Sequence, residues 1–204
     1  MPKGSKELEN ARREEIVDAC ERLYAERAFN EITVKDIGEV TSFTRTSIYN
    51  YFINKEEIFL ALLEREYMRW GDGLEAAART GKTGAEAFAE AVATTLAERP
   101  DMLKLLAMNM YDMEGSSRPE RLVAFKRAYG RTMKGMKECY KAHFPGAAAG
   151  EADNFVRLFY PVLFGIYPYT HVTEKQKNAM KEAHIEYDMP TVYGLTYDII
   201  LKLL

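Results

Sequence analysis

The chain has 204 residues, 47% of them hydrophobic and 29% charged, a balance that excludes a disordered polyelectrolyte and allows one large or two small packed domains. Its formal charge of −3 excludes a surface that is basic all round, so any nucleic acid must meet a local face. Two cysteines, Cys20 and Cys139, no apolar run approaching ~20 residues and no apolar leader in residues 1–10 argue against a disulfide framework, a membrane partner and a secretion signal, so a cytoplasmic location is expected.

Apolar residues recur at three- and four-residue spacing along nearly the whole chain, and alternating strand patterns are missing, which predicts an all-α fold. The first helix carries Ile16, Ala19, Leu23 and Tyr24 on one face, with its acids Glu14, Glu15, Asp18 and Glu21 on a solvated one, and ends near Phe29. Three helix starts then share one local grammar: an apolar residue, a capping side chain, and a second apolar residue five positions after the first. They are Ile32-Thr33 to Ile37, Phe43-Thr44 to Ile48, and Ile53-Asn54 to Ile58, the last with Glu57 completing a capping box. Helices near 33–40, 44–51 and from 54 onward are therefore joined by very short turns. The third is long, with Phe59, Leu62, Leu63, Tyr67 and Trp70 on one side.

Further on, Thr83-Gly84-Ala85-Glu86 and Ser117-Arg118-Pro119-Glu120 read as capping boxes, and Pro100 opens a helix between them. Leu122, Phe125, Tyr129, Met133, Met136 and Tyr140 mark a helix that stops at Pro145-Gly146. Pro161, Gly165 and Pro168 predict a kinked or broken helix within residues 153–169, and Pro190 suits the first turn of a final helix striped from Val192 to Leu203.

A helix, a tight turn and a second short helix can present one helix end to the DNA major groove. Ile37, Val40, Phe43 and Ile48 are expected to form the small core that sets the crossing. Residues 1–60 hold 12 acids and 9 bases, yet residues 41–55 carry hydroxyls, Asn50, Arg45 and Lys55 and no carboxylate. Thr33 and Thr44, at helix N-termini, suit phosphate oxygens. Arg45, Thr46 and Asn50 suit base edges, Tyr49, Tyr51 and Lys55 suit backbone phosphates, and Ser47 suits either. Lys3, Lys6, Arg12 and Arg13 would add a basic arm.

The runs 32–37, 41–52 and Asn54-Lys55-Glu56-Glu57, with Ile16, Ala19 and Leu23 ahead of them, resemble the N-terminal domain of TetR-type (tetracycline-repressor-like) regulators. The resemblance covers roughly the first quarter of the chain. It implies a three-helix helix-turn-helix domain in residues 1–53 and a helical domain in 54–204 that dimerises through its last helices and holds a small-molecule effector. Double-stranded DNA with a palindromic operator would be the partner, and no cofactor is implied. Ser42 stands where the family's turn usually has Gly, and a positive φ there would strain it mildly.

Residues 155–167 and 192–203 are apolar on more than one face and are the expected homodimer surface. Met108, Tyr111, Met133, Met136, Tyr140, Phe155, Phe159 and Tyr160 are the candidate effector contacts, a mix of adaptable and amphipathic side chains suited to an apolar or aromatic molecule. No catalytic or metal set is found: Gly81-Lys82-Thr83 lacks the earlier glycine of a phosphate loop, and His143, His171 and His184 lack ligand spacing. The competing reading is a helical small-molecule-binding or scaffold protein whose helix-turn-helix does not read DNA.

Overall fold

A computed structural model describes residues 3–204, with side chains from Lys6 onward. The side chain of Lys3, part of the expected basic arm, lies outside the described residues. Among the described residues there is no strand, and the helices are α1 (Lys3–Glu26), α2 (Val34–Glu39), α3 (Arg45–Ile48), α4 (Lys55–Ala77), α5 (Ala85–Ala97), α6 (Pro100–Ser116), α7 (Pro119–His143), α8 (Glu151–Phe159), α9 (Leu163–Thr170), α10 (Glu174–Glu182) and α11 (Val192–Leu203). The fold is all-α, as the periodicity predicts.

The chain packs as two compact units whose boundaries fall inside α4, α6 and α7: residues up to Glu66 with Asn109–Ala128, and Tyr67–Met108 with Tyr129–Leu204. In the first, the striped face of α1 buries Ile16, Ala19, Leu23 and Tyr24 with Ile32, Ile37, Ile48, Phe52 and Phe59. The Phe59 ring meets Tyr24 edge-on at 5.3 Å and Phe29 at 4.6 Å, which fixes α4 against α1. In the second, Trp70 is fully buried and its indole N–H donates to Thr95 Oγ1 at 3.1 Å, so the largest core side chain is also hydrogen-bonded. The break predicted near Pro161 is a 3-10 turn at Tyr160–Val162 between α8 and α9.

Several local expectations change. Helix α3 is one turn, and residues 50–52 continue it by 3-10 and α-type bonds to Ser47 and Ile48 and not as regular helix. Val40 is 44% exposed and lies outside the small core assigned to it; Ile53 likewise points outward. Helix α5 is capped by Gly84 at φ 98°, not by Thr83, because the Gly84 N–H donates to the His143 carbonyl. Ser117 caps nothing: its hydroxyl donates to the Met113 carbonyl, and Arg118 directly precedes α7. Pro190 sits one residue before the cap Thr191 and not within the first turn.

Candidate nucleic-acid interface

Helices α2 and α3 are each started by the predicted threonine. Thr33 Oγ1 accepts the Asp36 N–H at 3.2 Å while the Asp36 carboxylate accepts the Thr33 N–H at 2.7 Å, a complete capping box. The Thr33 hydroxyl, which donates to Asp36 Oδ2, and the Thr33 N–H, with Arg27 beside them, hold the Asp36 carboxyl below the usual carboxylate range. Thr44 Oγ1 accepts the Ser47 N–H at 3.3 Å and lies 3.0 Å from the Ser47 hydroxyl. The two helices approach closely at Gly38, where a Cβ would lie 3.3 Å from the Arg45 backbone nitrogen. Sequence reading passed over this glycine and looked for one at the turn instead.

Ser42 needs no glycine. Among the described residues His184 alone combines a side chain beyond glycine's with a positive φ, so Ser42 carries no left-handed strain. Its N–H instead donates to Glu15 Oε1 at 2.7 Å, and that bond lowers the Glu15 pKa. The acid-free stretch is thus bordered by a carboxylate from α1, which satisfies the turn's backbone. The other acids of α1 are not simply solvated either: Glu14, Asp18 and Glu21 accept from Arg65 at 2.7, 2.6 and 2.9 Å.

The exposed face of the α3 segment carries Thr44, Arg45, Thr46, Tyr49 and Asn50, while Ile48 and Phe52 turn inward. Arg45 donates to the Tyr49 hydroxyl at 3.3 Å and lies 5.7 Å from its ring centre, which holds both outward along one ridge. Ser47 and Tyr51 are half-buried. Arg12 donates to the Tyr51 hydroxyl at 3.1 Å and Arg13 lies over the Phe52 ring, so both are turned onto the segment and are not a free arm. Lys55 departs from its expected place: its ammonium donates to the Phe29 and Ile32 carbonyls at 3.0 and 3.3 Å. Gly38 is the residue sequence reading missed outright; the long-range roles of Arg12, Glu15, Glu57 and Arg118 were missed as well, since the sequence places them only in a basic arm, on a solvated face and in capping boxes.

The candidate effector residues are not brought together as one lining. Met108 and Tyr111 are 63% and 88% exposed, and Met133 is half-buried. Met136, Tyr140, Phe155, Phe159 and Tyr160 are core residues of the second unit, with Phe155 packed on Phe159, Tyr140 and Phe88. Tyr160 donates to Thr132 Oγ1 at 3.0 Å, and burial pushes its phenol well up. A groove of about 340 Å³ in that unit is lined by other residues, among them Gly73, Ala76, Ala91 and Thr95. Among the described residues no group of three or more His, Cys, Asp and Glu is placed to hold a metal, and no helix is long and apolar enough to cross a membrane.

Short capped helices crossing at a glycine, with a polar ridge facing outward, form a helix-turn-helix, the arrangement by which transcription regulators present a helix end to DNA. The chain belongs to the tetR family of bacterial regulatory proteins: residues 16–62 match that family's domain, and residues 64–191 match the tetracyclin repressor-like C-terminal domain. It is 35% identical over 63 residues to the uncharacterized HTH-type transcriptional regulator YfiR of Bacillus subtilis, covering 31% of each chain. It is 38% identical over 64 residues to the HTH-type transcriptional regulator TtgR of Pseudomonas putida, covering 31% of this chain and 30% of that one. The chain thus spans about a third of the length of the curated relatives it matches. Its fold is similar to that of a putative TetR-family transcriptional regulator from Mesorhizobium loti, with a TM-score of 0.62 at 12% identity over 96% of this chain and 97% of the other. The fatty acid degradation regulator FadR from Bacillus halodurans has a similar fold, with a TM-score of 0.58 at 15% identity over 93% and 94%.

Proposed function

We propose that the protein is a cytoplasmic repressor that binds a palindromic operator in double-stranded DNA as a homodimer and is released by a small-molecule effector. Residues 1–53 read DNA and residues 54–204 bind the effector and dimerise. The observation that carries the reading is the exposed ridge of Thr44, Arg45, Thr46 and Asn50 on a one-turn helix whose apolar side is buried. Arg45 pairs with guanine, Asn50 with adenine, and Thr46 contacts a base edge. Thr33, Thr44, Ser47, Tyr49 and Tyr51 supply backbone phosphate contacts, which position the head without reading sequence. With two of its three donors on carbonyls, Lys55 supports this set from behind.

The effector is an apolar or aromatic molecule that enters among Met133, Met136, Tyr140, Phe155, Phe159 and Tyr160, whose Met and aromatic side chains can repack around it. It acts by favouring a head spacing that does not fit the operator, a coupling free energy between two sites. Gel-shift titration of duplexes selected from a random library, repeated across salt concentrations, tests the DNA-reading function. Binding without sequence preference at moderate salt sinks it in favour of a scaffold role. Light scattering after size exclusion tests the dimer, and a monomer at micromolar concentration contradicts it.

A further inference from the structure

Within the first unit, two connections distant in sequence lie against each other. One leads from α3 through Tyr51 and Phe52 into α4; the other joins α6 to α7 at Ser117 and Arg118. Asn54 Nδ2 donates to the Ser116 carbonyl at 2.7 Å. The Arg118 backbone N–H and Nε both donate to Glu57 Oε1 at 2.8 Å, and Nη2 donates to Glu57 Oε2 at 2.7 Å. The same Nη2 donates to the Tyr51 carbonyl at 3.1 Å. Glu57 has no exposed surface, and its Oε2 also accepts the Ile53 N–H at 3.1 Å.

We infer that Arg118 is a positioning residue for DNA recognition: from the α6–α7 joint it grips the Tyr51 carbonyl and sets the angle at which Arg45, Thr46 and Asn50 are offered. The inference rests on the DNA-reading function proposed for that ridge. A guanidinium suits the task because its planar fork spans both oxygens of Glu57 and keeps one Nη2 hydrogen for a third acceptor. A pair that served only stability would need the carboxylate alone. Arg12 on the Tyr51 hydroxyl and Arg13 on the Phe52 ring hold Tyr51 and its neighbour from α1, so the exit of α3 is clasped from two sides. A displacement of the joint at Arg118 reaches the Tyr51 carbonyl directly through this side chain, while the bond from Asn54 to Ser116 ties the joint to the start of α4.

Two variants separate positioning from folding. Glu57→Met with Arg118→Met replaces the buried pair by apolar side chains, a change that buried pairs often tolerate in stability. Arg118→Lys keeps the charge beside Glu57 but not the fork, and serves if the double variant does not fold. The probe is a duplex selected by the wild-type protein from a random library. Folded variants are expected to bind it about ten-fold or more weakly. Their amides at residues 50–52 should exchange about ten-fold faster while those at 16–24 are unchanged. Unchanged affinity and exchange in a folded variant overturn the inference. A wild type that selects no duplex defeats the DNA-reading function instead, and the positioning of Tyr51 is then decided by amide exchange alone.

Discussion

The Lys55 ammonium donates to the backbone carbonyl of Phe29 at 3.0 Å and lies 4.2 Å from the centre of the Phe29 ring. With the Ile32 carbonyl it closes the start of α4 onto the loop after α1. Lys55→Ala should therefore cost about 1–2 kcal/mol of stability, two charge-assisted hydrogen bonds and a cation–π contact being lost. Urea denaturation measures this. A variant as stable as wild type but with a shallower salt dependence of DNA binding would return Lys55 to the phosphate-contacting set.

Arg45 and Tyr49 touch, yet their substitutions should differ in kind. Arg45→Ala should weaken binding to the selected duplex by about 1–3 kcal/mol and relax preference at one base position. Tyr49→Phe should weaken binding to all duplexes alike, because a phosphate contact carries no sequence information. Competition binding against a panel of single-base variants reads both. The same profile from both would contradict the division between base-reading and phosphate-contacting residues.

Gly38 sets the distance between α2 and α3, since its added Cβ would press on the Arg45 backbone nitrogen at 3.3 Å and approach Ile48 Cδ1 at 3.7 Å. Helix propensity favours almost any other residue there, but backbone cannot swing aside as a side-chain tip can. Gly38→Val should cost about 1–3 kcal/mol by overpacking and abolish selective DNA binding by pushing α3 outward. Chemical denaturation and gel shift together check it; wild-type values in both would mean the helices separate freely.

Burial alone would raise the Glu57 pKa, but the bonds from Arg118 and Ile53 outweigh it and hold the carboxyl below its usual range. A folded-state pKa below the unfolded value of about 4.3 means the unfolded chain takes the proton more readily, so stability drops as pH falls. The contribution is complete above about pH 4.3 and is lost as pH falls through the lowered folded value. Thermal melts of wild type and Glu57→Gln between pH 3 and 7 should diverge at neutral pH and converge in acid. Parallel melts would show that Glu57 contributes nothing to the acid response.

The elements legible in the sequence depend on residues a few positions apart. The α1 stripe, the caps Thr33 and Thr44 and the outward face of Arg45, Thr46 and Asn50 follow from helical periodicity and from side chains that bond their own turn. Even here composition misled at Thr83 and Ser117, because capping depends on backbone conformation: Gly84 adopts the positive φ, and Ser117 finds the Met113 carbonyl first.

The local alphabet of the helices, and with it the helix-turn-helix, was determined by the sequence alone, because each signal closes within one or two turns. Only the tertiary structure decided what holds the reading segment in place. Glu15 reaches Ser42, Lys55 turns back to Phe29, and Arg118 joins Glu57 to Tyr51, pairings between residues 27, 26, 61 and 67 positions apart. No spacing rule relates such residues. They meet because burying the apolar faces of α1 and α4 brings their polar neighbours into reach, and a buried carboxylate such as Glu57 must then find a partner.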